Sequence, residues 1–239
     1  MNPHNPHWHQ PYCKVWTLAL AMGTLCSVLG ACASSLLPKS PSLPTLYVLD
    51  DASGSTVRAA GVRGKVPSDL GSRTSTGAIT LLINAPRAAA GFDTALMAYR
   101  RQSAQAKGSR SNVIEYFSDS AWIDTPSRML APLIAQAIER RGGFDAVLRA
   151  PSAGVAQWRL ETQLIRLQQE FTATGSDGRV ILHAILINTA SRAPLGWREF
   201  DISVPTTSDD PQGGVAAANE AVTKMLEELA DFCVTTAKR

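Results

Sequence analysis

An apolar run near the N-terminus decides which part of this chain can fold into a domain. The run extends from Val15 to Leu29, carries no charged side chain and directly follows Lys14. A helix that spans a bilayer needs about 20 apolar residues, so this run is too short to cross a membrane comfortably, whereas it suits the apolar region of a secretory signal peptide. The alternative, an uncleaved membrane anchor, requires a longer run. We therefore expect residues 1–31 to be a signal peptide that takes no part in the fold.

The residues that follow this run, Leu29-Gly30-Ala31-Cys32, resemble the bacterial lipobox. Small side chains at Gly30 and Ala31 give a peptidase access to the backbone, and Cys32 supplies a thiol that accepts diacylglycerol. We expect cleavage between Ala31 and Cys32, acylation of Cys32 with chains such as palmitate, and attachment of the mature chain to a membrane through this lipid. Because Ala33 is not an aspartate retention signal, we expect sorting to the outer membrane, with the domain on its periplasmic face.

Cysteine and histidine usage leaves little reactive chemistry in the mature chain. Cys13 and Cys26 are removed with the leader, and lipidation of Cys32 leaves Cys233 without a disulfide partner. Cys233 falls on the apolar stripe of a predicted C-terminal helix, where a buried, inert thiol is expected. His183 is the single histidine outside the leader and lies in a predicted strand, where packing is its usual role. We therefore expect no metal site and no cofactor.

The charge of the chain argues against nucleic acid as a partner. The formal net charge is +3, and loss of Lys14 with the leader lowers it to +2. Apolar residues make up 45% of the sequence and charged residues 18%, a composition that supports a folded core rather than a disordered chain. The mature protein is thus expected to be nearly neutral and globular.

A Ser/Pro-rich segment, residues 32–44, separates the lipid site from the rest of the chain. It shows no helical or strand periodicity, so we interpret it as a tether. In the extended conformation, at about 3.3 Å per residue, the tether is roughly 40 Å long. We expect one folded domain over residues 45–239.

Hydrophobic patterning beyond the tether predicts short strands followed by longer ones. The predicted strands are Leu46–Leu49, Ile79–Ile83, Leu96–Tyr99, Val113–Phe117, Trp158–Phe171, Val180–Asn188 and Trp197–Val204. In the fifth of these strands, the apolar parity shifts near Leu164, which indicates a β-bulge or twist. The sixth is apolar on both faces, as a central strand should be. A Gly/Ser-rich loop over residues 52–77 and a solvated basic loop are also predicted. The basic loop contains Arg100, Arg101, Lys107 and Arg110.

Two longer segments show the spacing of amphipathic helices. The first opens at Thr125-Pro126, as cap and first position, and stops at Gly142-Gly143; the second covers residues 215–233. The order of elements is strands, helix, strands, helix, without an internal repeat. It predicts an α+β two-layer sandwich, in which two main helices cover one face of a largely antiparallel sheet.

Motifs that would indicate catalysis are missing from the mature sequence. It contains no G-x-S-x-G elbow, no Walker A loop, no H-E-x-x-H and no paired-cysteine metal motif. Asp50-Asp51 and Asp209-Asp210 are adjacent carboxylates at a strand end and in a Pro/Gly turn, where capping and turn roles are more common than acid–base catalysis. We expect no enzymatic activity. A lipid-modifying hydrolase, the alternative class, would need a nucleophile and a base, which the sequence does not show.

Four segments of the domain resemble the ABC-type transport auxiliary lipoproteins, a family that includes paraquat-inducible protein C. The resemblance is carried by an aromatic-then-helix run and three further segments in consistent order. These segments are residues 116–133, 86–99, 160–171 and 208–219. The resemblance spans about residues 45–235 and so extends over the whole mature domain.

The resemblance implies a non-enzymatic periplasmic module with a two-layer α/β sandwich fold. It also implies membership of an MCE/ABC-type system that moves lipid between membranes, with an MCE-domain protein and ABC transporter components as partners. The protein could also form a homo-oligomer, a question that the resemblance does not decide. The alternative is a lipoprotein that activates or assists peptidoglycan or lipopolysaccharide biogenesis, which would share the leader, the tether and the mixed fold.

Two aromatic residues of the signature, Tyr116 and Trp122, have alternative interpretations. Large aromatic side chains are usually buried in the core, so one interpretation is that both rings pack the first helix against the sheet while Asp124 helps to cap that helix. Tyr and Trp are also enriched at protein interfaces, so both are candidates for a partner-docking patch.

Overall fold

The computed structural model describes residues 43–51, 79–101 and 113–237. The chain divides into two units, Met1–Leu43 and Pro44–Arg239, and every described element belongs to the second. Several predicted features lie outside the described residues. They are the signal peptide, the cleavage site at Ala31 and Cys32, most of the tether, the loop over residues 52–77, and Lys107 and Arg110 of the basic loop.

The described residues form one mixed nine-stranded sheet and two long helices. The strands are β1 Thr45–Tyr47, β2 Thr80–Ile83, β3 Arg87–Ala88, β4 Leu96–Arg101, β5 Glu115–Trp122, β6 Ala146–Arg149, β7 Trp158–Phe171, β8 Ser176–Asn188 and β9 Pro194–Pro205. The helices are α1 Pro126–Arg141, between β5 and β6, and α2 Pro211–Ala237, after β9. This order confirms the predicted α+β class.

The long strand β7 organises the sheet. On one side it pairs antiparallel with β8, which pairs antiparallel with β9. On the other side β7 pairs in parallel with three short strands in succession, β2, β3 and β4. β2 also pairs with β6. β4 also pairs with β5, which in turn pairs with β1. This side of the sheet therefore has two arms, β2–β6 and β4–β5–β1, with β3 between them. The longest ladders are antiparallel, as predicted, while the short strands add parallel pairs.

The predicted irregularity of β7 is present. The register between β7 and β8 shifts between Leu164 and Arg166, so the apolar side chains before and after the shift both reach the core. Leu160, Leu164 and Leu167 are all buried. The two-sided apolar pattern of β8 also corresponds to its central place between β7 and β9.

Both helices pack on the same face of the sheet and contact each other. In α1, Pro126 occupies the first turn and Gly142 ends the helix with a positive φ of 72°. The Gly142 N–H donates to the carbonyl groups of Ile138 and Glu139. Buried side chains from the helices and the sheet form one core. Its largest fully buried members are Phe200, Leu81, Leu130, Ile134, Ile138, Leu160, Leu164, Leu182, Leu186, Met225, Leu226 and Leu229.

Several boundaries differ from the sequence prediction. The strand predicted to end at Phe117 continues to Trp122 as β5, and Arg100 and Arg101 belong to β4 rather than to a loop. Polar residues in the middle of β5 interrupt the apolar alternation, yet Ser120 is buried beside β1. Strands β3 and β6 were not predicted, because two or four residues carry too little periodicity to be recognised. Among the described residues, no helix has the combined length and apolarity needed to cross a membrane.

Candidate functional site

The two aromatic residues singled out in the sequence lie at opposite ends of β5. Trp122 is 5% exposed and belongs to the core, beside Tyr47 of β1. Tyr116 is 37% exposed, and its hydroxyl donates to the Gly91 carbonyl at 3.1 Å. Trp122 is therefore a core residue in this structure, and Tyr116 is the member of the pair that a partner could contact.

A cluster of three aromatic rings lies at the end of β4. The Tyr99 ring lies 4.6 Å from the Phe117 ring and 5.7 Å from the Phe171 ring, measured between centroids. The Arg101 guanidinium lies 5.2 Å and 5.3 Å from the Tyr99 and Phe171 centroids. The cation is thus attracted to the faces of two rings. Sequence reasoning missed this cluster, because its members come from three strands that are distant in sequence.

Asp124, the residue before the N-cap Thr125, stabilises the start of α1. The Asp124 carboxylate accepts a hydrogen bond from the Thr125 N–H at 2.7 Å and pairs with Arg128 at 3.3 Å. The Thr125 side chain makes no capping hydrogen bond, whereas its carbonyl accepts from the N–H groups of Arg128 and Met129. Asp124 therefore supports the helix start, as expected, by fixing the backbone that enters it.

Two cavities adjoin the chain between β2 and β3. The first has a volume of about 380 Å³ and a mostly polar lining formed by Asn84, Ala85, Arg87, Glu161 and Thr162. Arg87 pairs with Glu161 at 3.8 Å, and within the described part of the chain no group hydrogen-bonds to the buried Thr162 hydroxyl. The second cavity, about 480 Å³, shares Asn84 and Ala85 and adds mainly apolar residues from α1, β6 and the segment after β6. In the first cavity, the Thr162 hydroxyl is thus not hydrogen-bonded to the Glu161 carboxylate that lines the same cavity.

The predicted turn carboxylates Asp209 and Asp210 hold α2 against the sheet. Asp210 accepts hydrogen bonds from the Gly213 N–H at 2.7 Å and from the Ser208 hydroxyl at 2.9 Å. These bonds stabilise the charged carboxylate and hold the pKa of Asp210 below its ordinary value. Asp209 accepts from the Ser176 hydroxyl at 2.7 Å. Both residues therefore have the expected capping and turn roles.

The other adjacent pair, Asp50-Asp51, also has a structural role. Asp51 is buried and forms an ion pair with Arg140 near the end of α1. Its N–H donates to the Asp50 carboxylate, and the Asp50 N–H donates to Asn219 of α2. These contacts fasten the segment after β1 to both helices.

A polar cluster crosses the three long strands on the face opposite the helices. The Arg179 guanidinium donates to both carboxylate oxygens of Asp201, at 2.7 Å and 2.6 Å, and pairs with Glu170 at 3.3 Å. The hydrogen bonds to Asp201 raise the pKa of Arg179 above its already high ordinary value. The cluster links β7, β8 and β9.

The remaining candidates for chemistry are packed side chains. Burial raises the pKa of the Cys233 thiol to about 12, so the nucleophilic thiolate is rare at neutral pH. The His183 ring lies 5.8 Å from the Trp197 ring on the sheet surface. Across residues 43–51, 79–101 and 113–237, no group of three or more His, Cys, Asp or Glu side chains could hold a metal ion.

Solved structures share this fold. A protein from Xanthomonas campestris assigned to the DUF330 family superposes with a TM-score of 0.59 at 20% identity, covering 67% of this chain and 86% of its own. An uncharacterized protein superposes with a TM-score of 0.55 at 8% identity, covering 80% and 99%. At these identities the likeness concerns the fold alone.

Sequence comparison identifies the family. No curated protein matches the sequence significantly. The family described as the ABC-type transport auxiliary lipoprotein component matches residues 69–230, which include α1, most of α2 and all the strands except β1. This match covers more than half of the chain. The chain therefore belongs to the family of ABC-type transport auxiliary lipoprotein components.

Proposed function

We propose that this protein is a lipoprotein anchored in the outer membrane, on its periplasmic face, and a non-enzymatic auxiliary component of an MCE/ABC-type system for lipid transport between membranes. The observation that carries the proposal is the family match over residues 69–230. The lipobox at the end of the leader supports the membrane location, and the near-neutral domain supports a protein rather than a nucleic-acid partner.

The lipid anchor is assigned to Cys32, with the signal peptide over residues 1–31 and the tether over residues 32–44. Incorporation of labelled palmitate tests this assignment: the wild-type chain should be labelled, and the Cys32→Ser variant should accumulate as an unlabelled precursor. A Cys233→Ser variant is the matched control, because its thiol is buried in the folded domain. Equal labelling of the Cys32→Ser variant would reject the assignment. Recovery of the wild-type protein solely in inner-membrane fractions would contradict the proposed sorting to the outer membrane.

The proposed partner is an MCE-domain protein that spans the periplasm and works with ABC transporter components. A tether of roughly 40 Å lets the domain meet such a protein while its own lipid stays in the membrane. We assign Tyr116 to the docking surface because its ring is exposed and its hydroxyl is fixed by the Gly91 carbonyl. A rigid amphipathic side chain of this kind gives contact area at small entropic cost.

Co-purification after crosslinking in native membranes tests the docking assignment. The Tyr116→Ala variant should recover less MCE-domain protein than the wild type, whereas Tyr116→Phe, which keeps the ring, should recover nearly as much. Because the mature charge is about +2, moderate salt should leave the complex largely intact. Unchanged recovery with the Tyr116→Ala variant would remove Tyr116 from the interface.

The absence of catalysis is the third part of the proposal. The Cys233 thiol is buried, and the Thr162 hydroxyl of the first cavity makes no hydrogen bond to a base among the described residues. Purified mature protein should therefore show no turnover of phospholipids or simple esters. A turnover abolished by changing one polar residue of the domain, with the fold intact, would favour a lipid-modifying hydrolase instead.

A further inference from the structure

An exposed apolar patch lies where the tether enters the domain. We define this entry patch by five side chains on one face of the β1–β5–β4 arm. The exposed members are Leu46, Val48, Leu96 and Ile123, and the half-buried Ala121 lies between Leu46 and Leu96. Isolated exposed apolar residues are common on proteins, but a contiguous group of them marks an interaction surface.

The sheet register shows that these side chains are neighbours. Ala121 of β5 is the partner of Leu46 in β1 and of Leu96 in β4, so the three residues form a row across three strands. The Ile123 N–H donates to the Tyr47 carbonyl, which continues the same pairing and places Ile123 beside Val48.

The burial pattern places the row on the outer face of the arm. Tyr47 and Trp122 pack against the core, whereas Leu46 is 58% exposed and Ile123 is 59% exposed. Side chains alternate between the two faces of a strand, so the residues that flank Tyr47 and Trp122 point away from the helices. Val48 and Leu96 are about half exposed, so none of the residues that the structure describes covers the patch.

We infer that the entry patch seats the domain on the surface of the lipid bilayer that holds the anchor. This inference rests on the proposed lipidation of Cys32. The tether spans residues 32–44, and Leu46 begins the patch directly after it, so the patch stays within roughly 40 Å of the bilayer. Such tethering gives even a weakly lipophilic surface a high effective concentration at the membrane.

The composition of the patch fits lipid better than a charged partner. All five residues are apolar, and the adjacent carboxylate of Asp124 is paired with Arg128. Contact should therefore come from burial of apolar side chains at the headgroup boundary, as for other membrane-surface proteins, and should depend little on salt. This contact with the membrane requires neither an anionic headgroup nor a protein of opposite charge.

A fluorescent probe on the patch tests this inference in the lipidated full-length mature protein. The protein is reconstituted into vesicles of phosphatidylethanolamine and phosphatidylglycerol, with the environment-sensitive dye NBD on an Ile123→Cys variant. Cys233 is buried and should stay unlabelled in the folded protein. The matched control carries the dye on a Val155→Cys variant, since Val155 is 88% exposed and follows β6, which lies at the opposite end of the strand order from β1.

We expect the Ile123 probe to shift to shorter wavelength and to be quenched by phospholipids that carry a nitroxide on the acyl chain, whereas the Val155 probe should show neither effect. A Leu46→Glu substitution should abolish most of the quenching, while the protein still floats with the vesicles. High salt should leave the quenching in place.

The outcomes separate the patch from the anchor. If the wild-type protein fails to float with the vesicles, the proposed lipidation is wrong. If it floats and the Ile123 probe is not quenched, the seating inference is wrong. A blue shift without nitroxide quenching would also overturn it and would assign the patch to a protein surface, either a second copy of this chain or a partner.

Discussion

The close approach of α2 to the sheet at Gly178 gives a sharp test of the packing. A Cβ atom at Gly178 would lie 2.8 Å from the Ala217 Cβ, 2.8 Å from the Ala218 backbone nitrogen and 2.9 Å from the Ala217 carbonyl carbon. Carbon atoms in favourable contact are about 3.5–4.0 Å apart, so the helix would have to move away by several tenths of an ångström. The obstacle is largely helix backbone, which a rotamer change cannot relieve.

The expected effect of Gly178→Ala is a loss of stability. Forced overpacking costs about 1–3 kcal/mol, while replacing glycine by alanine stabilises by about 0.4–1 kcal/mol through the unfolded chain. The midpoints of these two ranges leave a net loss of about 1.3 kcal/mol, or a Tm lower by roughly 3–5 °C for a domain of this size. The same substitution would be mildly stabilising if α2 did not lie so close.

Urea unfolding followed by circular dichroism measures this difference, with Gly196→Ala as the matched control. A Cβ at Gly196 meets its nearest atoms, on Phe232 and Thr236 of the same helix, at 3.5–3.6 Å, which is ordinary contact. We expect Gly196→Ala to be neutral or slightly stabilising. If Gly178→Ala were as stable as the control, with an unchanged m-value, the packing of α2 on β8 would be wrong.

Three further predictions concern single groups. The pKa of Asp210 is lower in the native protein than in the unfolded chain, so its charge stabilises the fold at pH values above the ordinary carboxyl pKa of about 3.9. This stabilisation is lost as the pH falls through the lower native pKa. Asp210→Asn should therefore flatten that part of a Tm-versus-pH curve. The Cys233 thiol should resist Ellman's reagent at pH 8 until the protein is unfolded, since burial raises its pKa to about 12. Arg140→Leu should destabilise the protein more than Asp51→Asn in chemical unfolding, because it removes the arginine of the ion pair while the buried Asp51 charge remains; equal losses would contradict this reasoning.

The parts of the fold that were predictable from sequence depend on local patterns. Helix α1 follows from the spacing of its apolar residues between Pro126 and Gly142, and the irregularity of β7 follows from the parity shift near Leu164. Both patterns are determined by neighbours within a few turns or a few strand residues. The α+β class follows from the order of such segments.

The parts that were not predictable depend on contacts between distant residues. Strand β3 has two residues and exists because Arg87 and Ala88 lie beside Gln163 and Leu164. Burial of Ser120 depends on its pairing with Thr45, far away in sequence. No local pattern reports such pairings.

The candidate surfaces also depend on contacts between distant residues, which local sequence patterns do not report. Trp122 and Tyr116 have similar sequence signals, yet the pairing of β1 with β5 places Trp122 beside Tyr47 in the core, while Tyr116 stays exposed. The entry patch is assembled from three strands, so its residues look unremarkable along the chain. Sequence alone therefore named one accessible aromatic residue and missed the apolar patch.

The most direct test of the central claim is recovery of partners from native outer membranes. Wild-type protein, crosslinked in intact cells and purified with its lipid, should bring down an MCE-domain protein and ABC transporter components, and its deletion should weaken the outer-membrane barrier as deletion of the transporter does. Recovery of no MCE or ABC component, together with a deletion phenotype confined to cell-wall synthesis, would contradict the account and favour an activator of peptidoglycan synthesis.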